Sequence, residues 1–228
     1  VINRVKDILE LSDNKFQRII KKRKEIKSWE TLIVADNLSW EKFSKINNQL
    51  YDLNGVKPVV SISRNYPYKE NYTHIIGYVS QANEKDIMLN KIVKERFVQG
   101  LKVGKIGLER SFEDILIGDN SIERYEVNAY GRRISQLAFK NGNKGKTIKL
   151  TIDTEVQKFA NELLLEKAGS ICVMDIFTGQ IIAMHSSPSF DPNSFVFGIS
   201  QDEWQLIRNN PMKPLVNKTL SGNYSPGS

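Results

Sequence analysis

Apolar side chains recur through the first fifty residues at the spacing of a helix. Val5, Ile8 and Leu9 share one face, and after Ser12-Asp13-Asn14, which offers N-cap chemistry, Phe16, Ile19, Ile20 and Arg23 continue the pattern. Two helices, or one broken helix, are expected to open the chain. Thr31 to Val34 is a short β-rich run that predicts a strand, and Ser39 then caps a helix whose Trp40, Phe43, Ile46, Leu50 and Leu53 fall along one side. Val56 to Ser63 reads as a strand interrupted by Pro58, the signature of an edge position.

Polar Tyr66 to Thr73 predicts a loop, followed by a short helix near Asn83 to Lys91. Gly104 and Gly107 bracket a turn, after which Leu108, Phe112, Ile115 and Leu116 predict a helix closed by Gly118. Tyr125 to Phe139 reads as extended chain broken at Gly131. Asn141-Gly142-Asn143 is hairpin punctuation between Gln136–Phe139 and Thr147–Ile152, and a domain boundary is placed beside it, giving domains 1–143 and 144–228.

Beyond it, Val156, Phe159, Ala160, Leu163 and Leu164 match the i, i+3, i+4, i+7, i+8 template of an amphipathic helix, capped by Asp153 or Thr154. Gly169–Ile176 and Gln180–Ser186 flank Phe177-Thr178-Gly179 and predict an antiparallel hairpin, while Ser200-Gln201-Asp202-Glu203 is a capping box that opens a further helix. The expected class is α+β, with two domains.

With 228 residues, 40% of them hydrophobic and 26% charged, the composition is that of a globular chain and excludes wholesale disorder. No apolar run reaches eighteen residues and no cleavable leader precedes the first helix, so nothing in the chain is expected to span a membrane. Val1 lies inside a helical pattern and Ser228 follows a Pro-Gly pair, so both ends read as cuts. The net charge of +7 raises a nucleic-acid reading. Only Lys21-Lys22-Arg23-Lys24 is densely basic, however, and no recognition motif accompanies it, so no nucleic-acid partner is expected.

Cys172 sits in the apolar run Ile171-Cys172-Val173-Met174, which predicts a buried structural thiol. His74 and His185 lie far apart without metal-ligand spacing, so both are expected to be structural; neither a metal nor a cofactor is proposed. Trp40 with Phe43, and Trp204 with Leu206 and Ile207, stand at helical spacing and predict core packing rather than partner anchors.

The segment from Leu150 onward carries Leu150-Thr151-Ile152-Asp153, Val173-Met174-Asp175, Thr178-Gly179, Ile182-Ala183-Met184, Ser187-Pro188-Ser189-Phe190-Asp191-Pro192-Asn193, Pro214-Leu215-Val216-Asn217-Lys218 and Tyr224-Ser225-Pro226-Gly227-Ser228. In that order these runs resemble the opening of a penicillin-binding transpeptidase domain, the last leading into the family's Ser-x-x-Lys motif. Arg64-Asn65-Tyr66-Pro67-Tyr68, His74-Ile75-Ile76-Gly77-Tyr78-Val79, Gly104-Lys105-Ile106-Gly107-Leu108-Glu109 and Val127-Asn128-Ala129-Tyr130-Gly131-Arg132 resemble motifs of the preceding pedestal, or dimerisation, domain. The chain is thus similar to class B penicillin-binding proteins, and most to the elongation type. Ser225, Lys69 and Lys218 depart from the usual proline, glycine and arginine without removing a chemical role.

The resemblance implies a peptidoglycan D,D-transpeptidase that acylates its serine with a stem peptide and binds β-lactams. Ser228 is the expected nucleophile, at the first turn of a helix whose dipole favours developing negative charge on oxygen. The base, a lysine three residues after the nucleophile, and the family's later Ser-x-Asn and Lys-Thr-Gly motifs are expected beyond Ser228, so the chain is expected to be inactive alone. The resemblance further implies that Arg64, Glu109 and Arg132 form a polar network joining pedestal to transpeptidase domain. It implies a SEDS-type glycosyltransferase and a shape-determining scaffold protein as partners, at the periplasmic face of the inner membrane, reached through an N-terminal anchor. A division-type enzyme of the same class and a stand-alone interaction module are the alternatives.

Overall fold

The structure is a computed structural model that describes residues 1–26, 31–98, 100–129, 133–165 and 167–223. It forms two compact units, residues 1–63 with 127–134, and residues 64–126 with 135–228.

In the first unit, α1 (Ile2–Leu9), α2 (Asp13–Glu25) and α3 (Trp40–Asn48) follow the predicted apolar periodicity. Ser39 caps α3 by accepting from the Lys42 N–H at 3.3 Å. Val5 and Leu9 of α1 meet Ile46 of α3 and Leu53 just beyond it, and Ile8, Leu11, Val34, Ala35, Leu38, Leu50 and Val56 close around them. Trp40 does not join this core as its spacing predicted. It is 79% exposed and stacks on Phe43 with ring centroids 5.8 Å apart, because it occupies the first position of α3, outside the stripe that faces α1.

Neither Thr31–Val34 nor Val56–Ser63 is a strand. A strand needs a ladder partner for its backbone groups, and none is present among the described residues. Val34 and Val56 serve the helical core instead, while Val59, Val60 and Ile62 lie exposed.

In the second unit, a 3₁₀ turn over Lys69–Asn71 leads into α4 (Thr73–Ile76), and β1 (Val79–Gln81) follows. Next come α5 (Glu84–Leu89), opened by a capping box between Asn83 and Asp86, and α6 (Lys91–Glu95), capped by Asn90. β2 (Lys102–Gly104) pairs antiparallel with β1 through Val79–Gly104 and Gln81–Lys102. α7 (Gly107–Ser111) and α8 (Glu113–Leu116) replace the single helix predicted after Gly107. β3 (Ile122–Val127) pairs with β4 (Arg133–Lys140), the extended stretch that the sequence broke at Gly131, a residue outside the described set.

Asn141–Asn143 does not make a hairpin, and 147–152 is not a strand. The segment lies against residues 118–121: the Asp119 N–H donates to the Asn143 carbonyl at 2.8 Å and the Gly142 N–H to Ser121 Oγ at 3.0 Å. A Cβ on Gly142 would sit 2.2 Å from the Asp119 oxygen, so glycine is required here for close backbone approach and not for a turn.

α9 (Thr154–Leu163) is capped by Asp153, whose Oδ1 accepts from Glu155 and Val156 N–H groups at 2.9 and 3.1 Å. β5 (Gly169–Met174) and β6 (Ile181–Ser187) form the predicted antiparallel hairpin, irregular at Val173 and Met174, with α9 packed on β6. α10 (Asn193–Val196), α11 (Gln201–Asn209, capped by Ser200) and α12 (Lys218–Ser221) complete the described unit. Cys172 is exposed, against expectation. Cys172, Val173 and Met174, the second half of β5, are all exposed. Leu206 is exposed as well, while Trp204 turns inward and meets Phe195 edge-on at 6.2 Å.

Candidate functional site

Two of the predicted site residues lie outside the described set, Ser228 and Arg132. The other two, Arg64 and Glu109, are 2.9 Å apart as an ion pair between Arg64 Nε and Glu109 Oε1. Glu109 is 5% exposed because α7 opens at Gly107 and turns its third residue toward the segment 64–66. A buried carboxylate must be paired, and here the pairing is double: the Tyr66 hydroxyl donates to Glu109 Oε1 at 3.2 Å. That hydroxyl also accepts from the Val79 N–H at 3.0 Å, so Tyr66 ties α7 to the start of β1. Burial, together with the Glu109 charge, pushes the Tyr66 hydroxyl well above the usual phenol range, so it remains a neutral donor.

Four residues on from Glu109, Glu113 is also buried and accepts from the Gly104 N–H. Desolvation raises its carboxyl above the ordinary range, and Glu109 nearby adds to the effect. Gly77 and Gly107 let the backbone fold tightly here: a Cβ on Gly77, whose φ is +82°, would lie 1.9 Å from the Ile106 oxygen. Beside this network lies a cavity of about 210 Å³ walled by Arg64, Tyr66, Tyr68, Lys69, Tyr72 and Glu109.

The same segment is stitched to the residues that resemble the second domain. Asn193, at the start of α10, accepts from the Tyr66 N–H at 3.0 Å and donates to the Tyr66 carbonyl at 2.9 Å, reading that residue's backbone as a strand partner would. Asp191 Oδ1 holds the Asn193 amide at 2.8 Å. Thr73 Oγ1 donates to the Phe190 carbonyl at 2.6 Å, and the Tyr72 hydroxyl donates to Thr154 Oγ1 at 3.1 Å. Gln157, fully buried, donates to the carbonyls of Asn71 and Met184 at 2.7 and 3.0 Å and accepts from the Met184 N–H at 2.8 Å. Tyr66, Val79 and Val196 form the apolar centre of this seam, with Tyr78, Phe190 and Phe195 packed ring to ring around it.

Glu113, Thr73, Gln157 and Asn193 were not singled out from sequence. Glu113 had a usable signal, since i and i+4 carboxylates share one helix face and cannot both be buried without partners. Gln157 had none beyond its place on α9, between the apolar positions that defined the helix. Among the described residues no group of three or more His, Cys, Asp and Glu side chains comes together.

With this geometry in place, comparison with known proteins gives a consistent result. The family model for the penicillin-binding protein dimerisation domain matches residues 1–150, and that for the penicillin-binding protein transpeptidase domain matches residues 169–228. Peptidoglycan D,D-transpeptidase MrdA of Acinetobacter baumannii is 34% identical over 228 residues, which is 100% of this chain and 34% of that protein. The protein of the same name from Escherichia coli strain K12 is 34% identical over 229 residues, again all of this chain and 36% of its own. The chain therefore spans about a third of the length of these curated relatives. The penicillin-binding protein PBP2 of Helicobacter pylori, solved in complex with MreC, superposes with a TM-score of 0.77 at 25% identity, covering 95% of this chain and 40% of that one. The motif order, the α+β fold and the matches over the whole of this chain agree, and the chain belongs to the penicillin-binding protein family, comprising its dimerisation domain and the opening of its transpeptidase domain.

Proposed function

We propose that the protein is a peptidoglycan D,D-transpeptidase of the elongation type, of which this chain supplies the pedestal and the first part of the catalytic domain, with the boundary near residue 143. The observation that carries the proposal is the match, over the whole chain, to relatives named D,D-transpeptidases. Ser228 is the nucleophile in this proposal: it attacks the penultimate D-alanine carbonyl of a stem peptide, releases the terminal D-alanine, and passes the acyl group to an amine of a neighbouring stem. β-Lactams acylate the same oxygen. The base is an amine one helical turn beyond Ser228.

The pedestal's part is mechanical. Arg64, Glu109 and Arg132 form the polar network that holds the catalytic domain on its base, and the Asn193–Tyr66 pairing supports this because it couples the two motif sets through backbone as well as side chains. The enzyme works at the periplasmic face of the bacterial inner membrane, beside a SEDS-type glycosyltransferase. It docks with an MreC-like scaffold protein, as suggested by the Helicobacter pylori PBP2 complex.

Labelling with a fluorescent penicillin tests the catalytic assignment. A chain extended through the complete transpeptidase domain is expected to label and to lose labelling on Ser228→Ala, whereas the 228-residue chain is expected to stay unlabelled. Labelling of the extended Ser228→Ala variant, or specific acylation of the 228-residue chain, overturns it.

A further inference from the structure

Five buried side-chain atoms among the described residues have no hydrogen-bond partner: Asn71 Oδ1, His74 Nε2, His185 Nε2, Ser189 Oγ and Thr219 Oγ1. All belong to three strips of chain that converge in the second unit, residues 71–74, 185–189 and 217–219. The Asn217 amide donates to the His74 carbonyl at 3.1 Å. Ser186 Oγ accepts from the Lys218 N–H at 2.9 Å and donates to the Val216 carbonyl at 3.2 Å. The carbonyls of Pro188 and Pro214 face the His74 ring, and that of Asn71 faces the His185 ring. Among the described residues no other buried side-chain nitrogen or oxygen lacks a partner, so the unsatisfied ones all gather in this seam.

Two of the five orphans are imidazoles, His74 at 8% exposure and His185 at 2%. The charge that acts on His74 besides His185 is that of Lys218, whose amine donates to the Lys213 carbonyl at 3.2 Å. Elements packed around the rings carry further charges, none of which acts on either ring. On α7, Glu109 is taken up by Arg64 and Tyr66, and Arg110 is exposed. On α9, Glu155 pairs with Lys158 at 2.9 Å and Glu162 is exposed; Lys69 and Glu70, before α4, are exposed too. β5 offers only the exposed Cys172.

We propose that His74, His185 and Lys218 make this seam an acid-labile joint, closed while both rings are neutral and opened when either takes a proton, because no carboxylate acts on either ring to pair the new cation and, at His74, the Lys218 amine repels it as well. The inference rests on the arrangement of these strips and not on the transpeptidase assignment.

The direction of the effect follows from burial. Desolvation first, then the Lys218 and His185 charges, hold His74 down to about 4, and desolvation lowers His185 as well. A histidine whose folded value is depressed contributes no penalty above its unfolded value of 6.5, and costs stability progressively as the pH falls from there toward 4. From pH 8 to pH 4.5 the His74 contribution alone raises the opening constant on the order of 70-fold.

The test is a titration of the two imidazole C–H resonances by NMR in the whole 228-residue chain, with backbone hydrogen exchange at residues 73–76 and 184–187, corrected for intrinsic rates. Expected are ring titrations below 6.5, His74 lowest, and protection in both strips that falls with acid in step. The double variant His74→Asn, His185→Asn is expected to keep its protection down to pH 4.5. Either ring titrating at or above 6.5, or an unchanged acid loss in the double variant, overturns the joint. Should the double variant not fold, the wild-type titration decides alone.

Discussion

The two units of this molecule are held together by opposite means. The first is organised around four buried aliphatic side chains, Val5, Leu9, Ile46 and Leu53, and ion pairs such as Arg4–Asp52 and Lys45–Glu41 lie in solvent. The second buries several polar groups: Glu109, Glu113 and Gln157 each meet a particular backbone or side-chain atom, and His185 Nε2 is left without one. An aliphatic core tolerates rearrangement because it asks only for volume and apolarity. A buried amide that reads two carbonyls and an N–H admits one arrangement. The second unit therefore fixes its geometry more narrowly than the first.

The contrast is sharpest between Leu53 and Gln157. Leu53→Ala removes buried methyl groups and leaves a cavity, which costs about 3 kcal/mol. Gln157→Leu keeps the volume and adds apolar surface, yet strands the Asn71 and Met184 carbonyls and the Met184 N–H, for a similar loss of about 3 kcal/mol. Urea denaturation of the two variants reads both values. If Gln157→Leu proves neutral or stabilising, the second unit is an ordinary hydrophobic core and the comparison collapses.

This difference also explains what was legible in advance. Periodicity located α1, α2, α3 and α9 because an apolar stripe writes itself into every third or fourth residue, and Phe177-Thr178-Gly179 marked the β5–β6 hairpin. It failed at Thr31–Val34 and Val56–Ser63, where β-branched residues promised strands but no ladder partner exists among the described residues. Cys172 misled for a related reason, since an apolar run on an uncovered strand reads like one on a covered strand. The Arg64–Glu109 pair became visible only through its motifs, because a contact across forty-five positions leaves no local trace. The partners of Gln157 and Asn193 are backbone atoms, and backbone atoms carry no sequence signal at all.

A smaller effect separates buried from exposed carboxylates. Glu109→Ala deprives the Tyr66 hydroxyl and Arg64 of their acceptor inside the second unit, and is expected to cost about 2 kcal/mol. Asp52→Ala breaks an ion pair whose side chains are both more than half exposed, and should cost no more than about 0.5 kcal/mol. Thermal unfolding in low and high salt distinguishes them further, because screening reaches Asp52 and not Glu109. Equal losses would mean that the Glu109 network holds nothing that a surface pair does not.

The smallest change is the one whose sign is most informative. Glu113 opens α8 four residues after Glu109, without an ion-pair partner of its own among the described residues, and burial raises its carboxyl above the ordinary 4.5. A carboxyl raised on folding favours the folded state below its unfolded value and loses that contribution as the pH climbs through the folded one. Glu113→Gln removes this loss while keeping an oxygen to accept from the Gly104 N–H. The variant should therefore match the wild type near pH 4.5 and exceed it modestly at pH 8, the reverse of the acid sensitivity assigned to His74 and His185. Melting curves at the two pH values read the difference directly. A Glu113→Gln chain that is less stable at pH 8 would mean that the charged carboxylate is needed, and that Arg64 serves both glutamates rather than Glu109 alone.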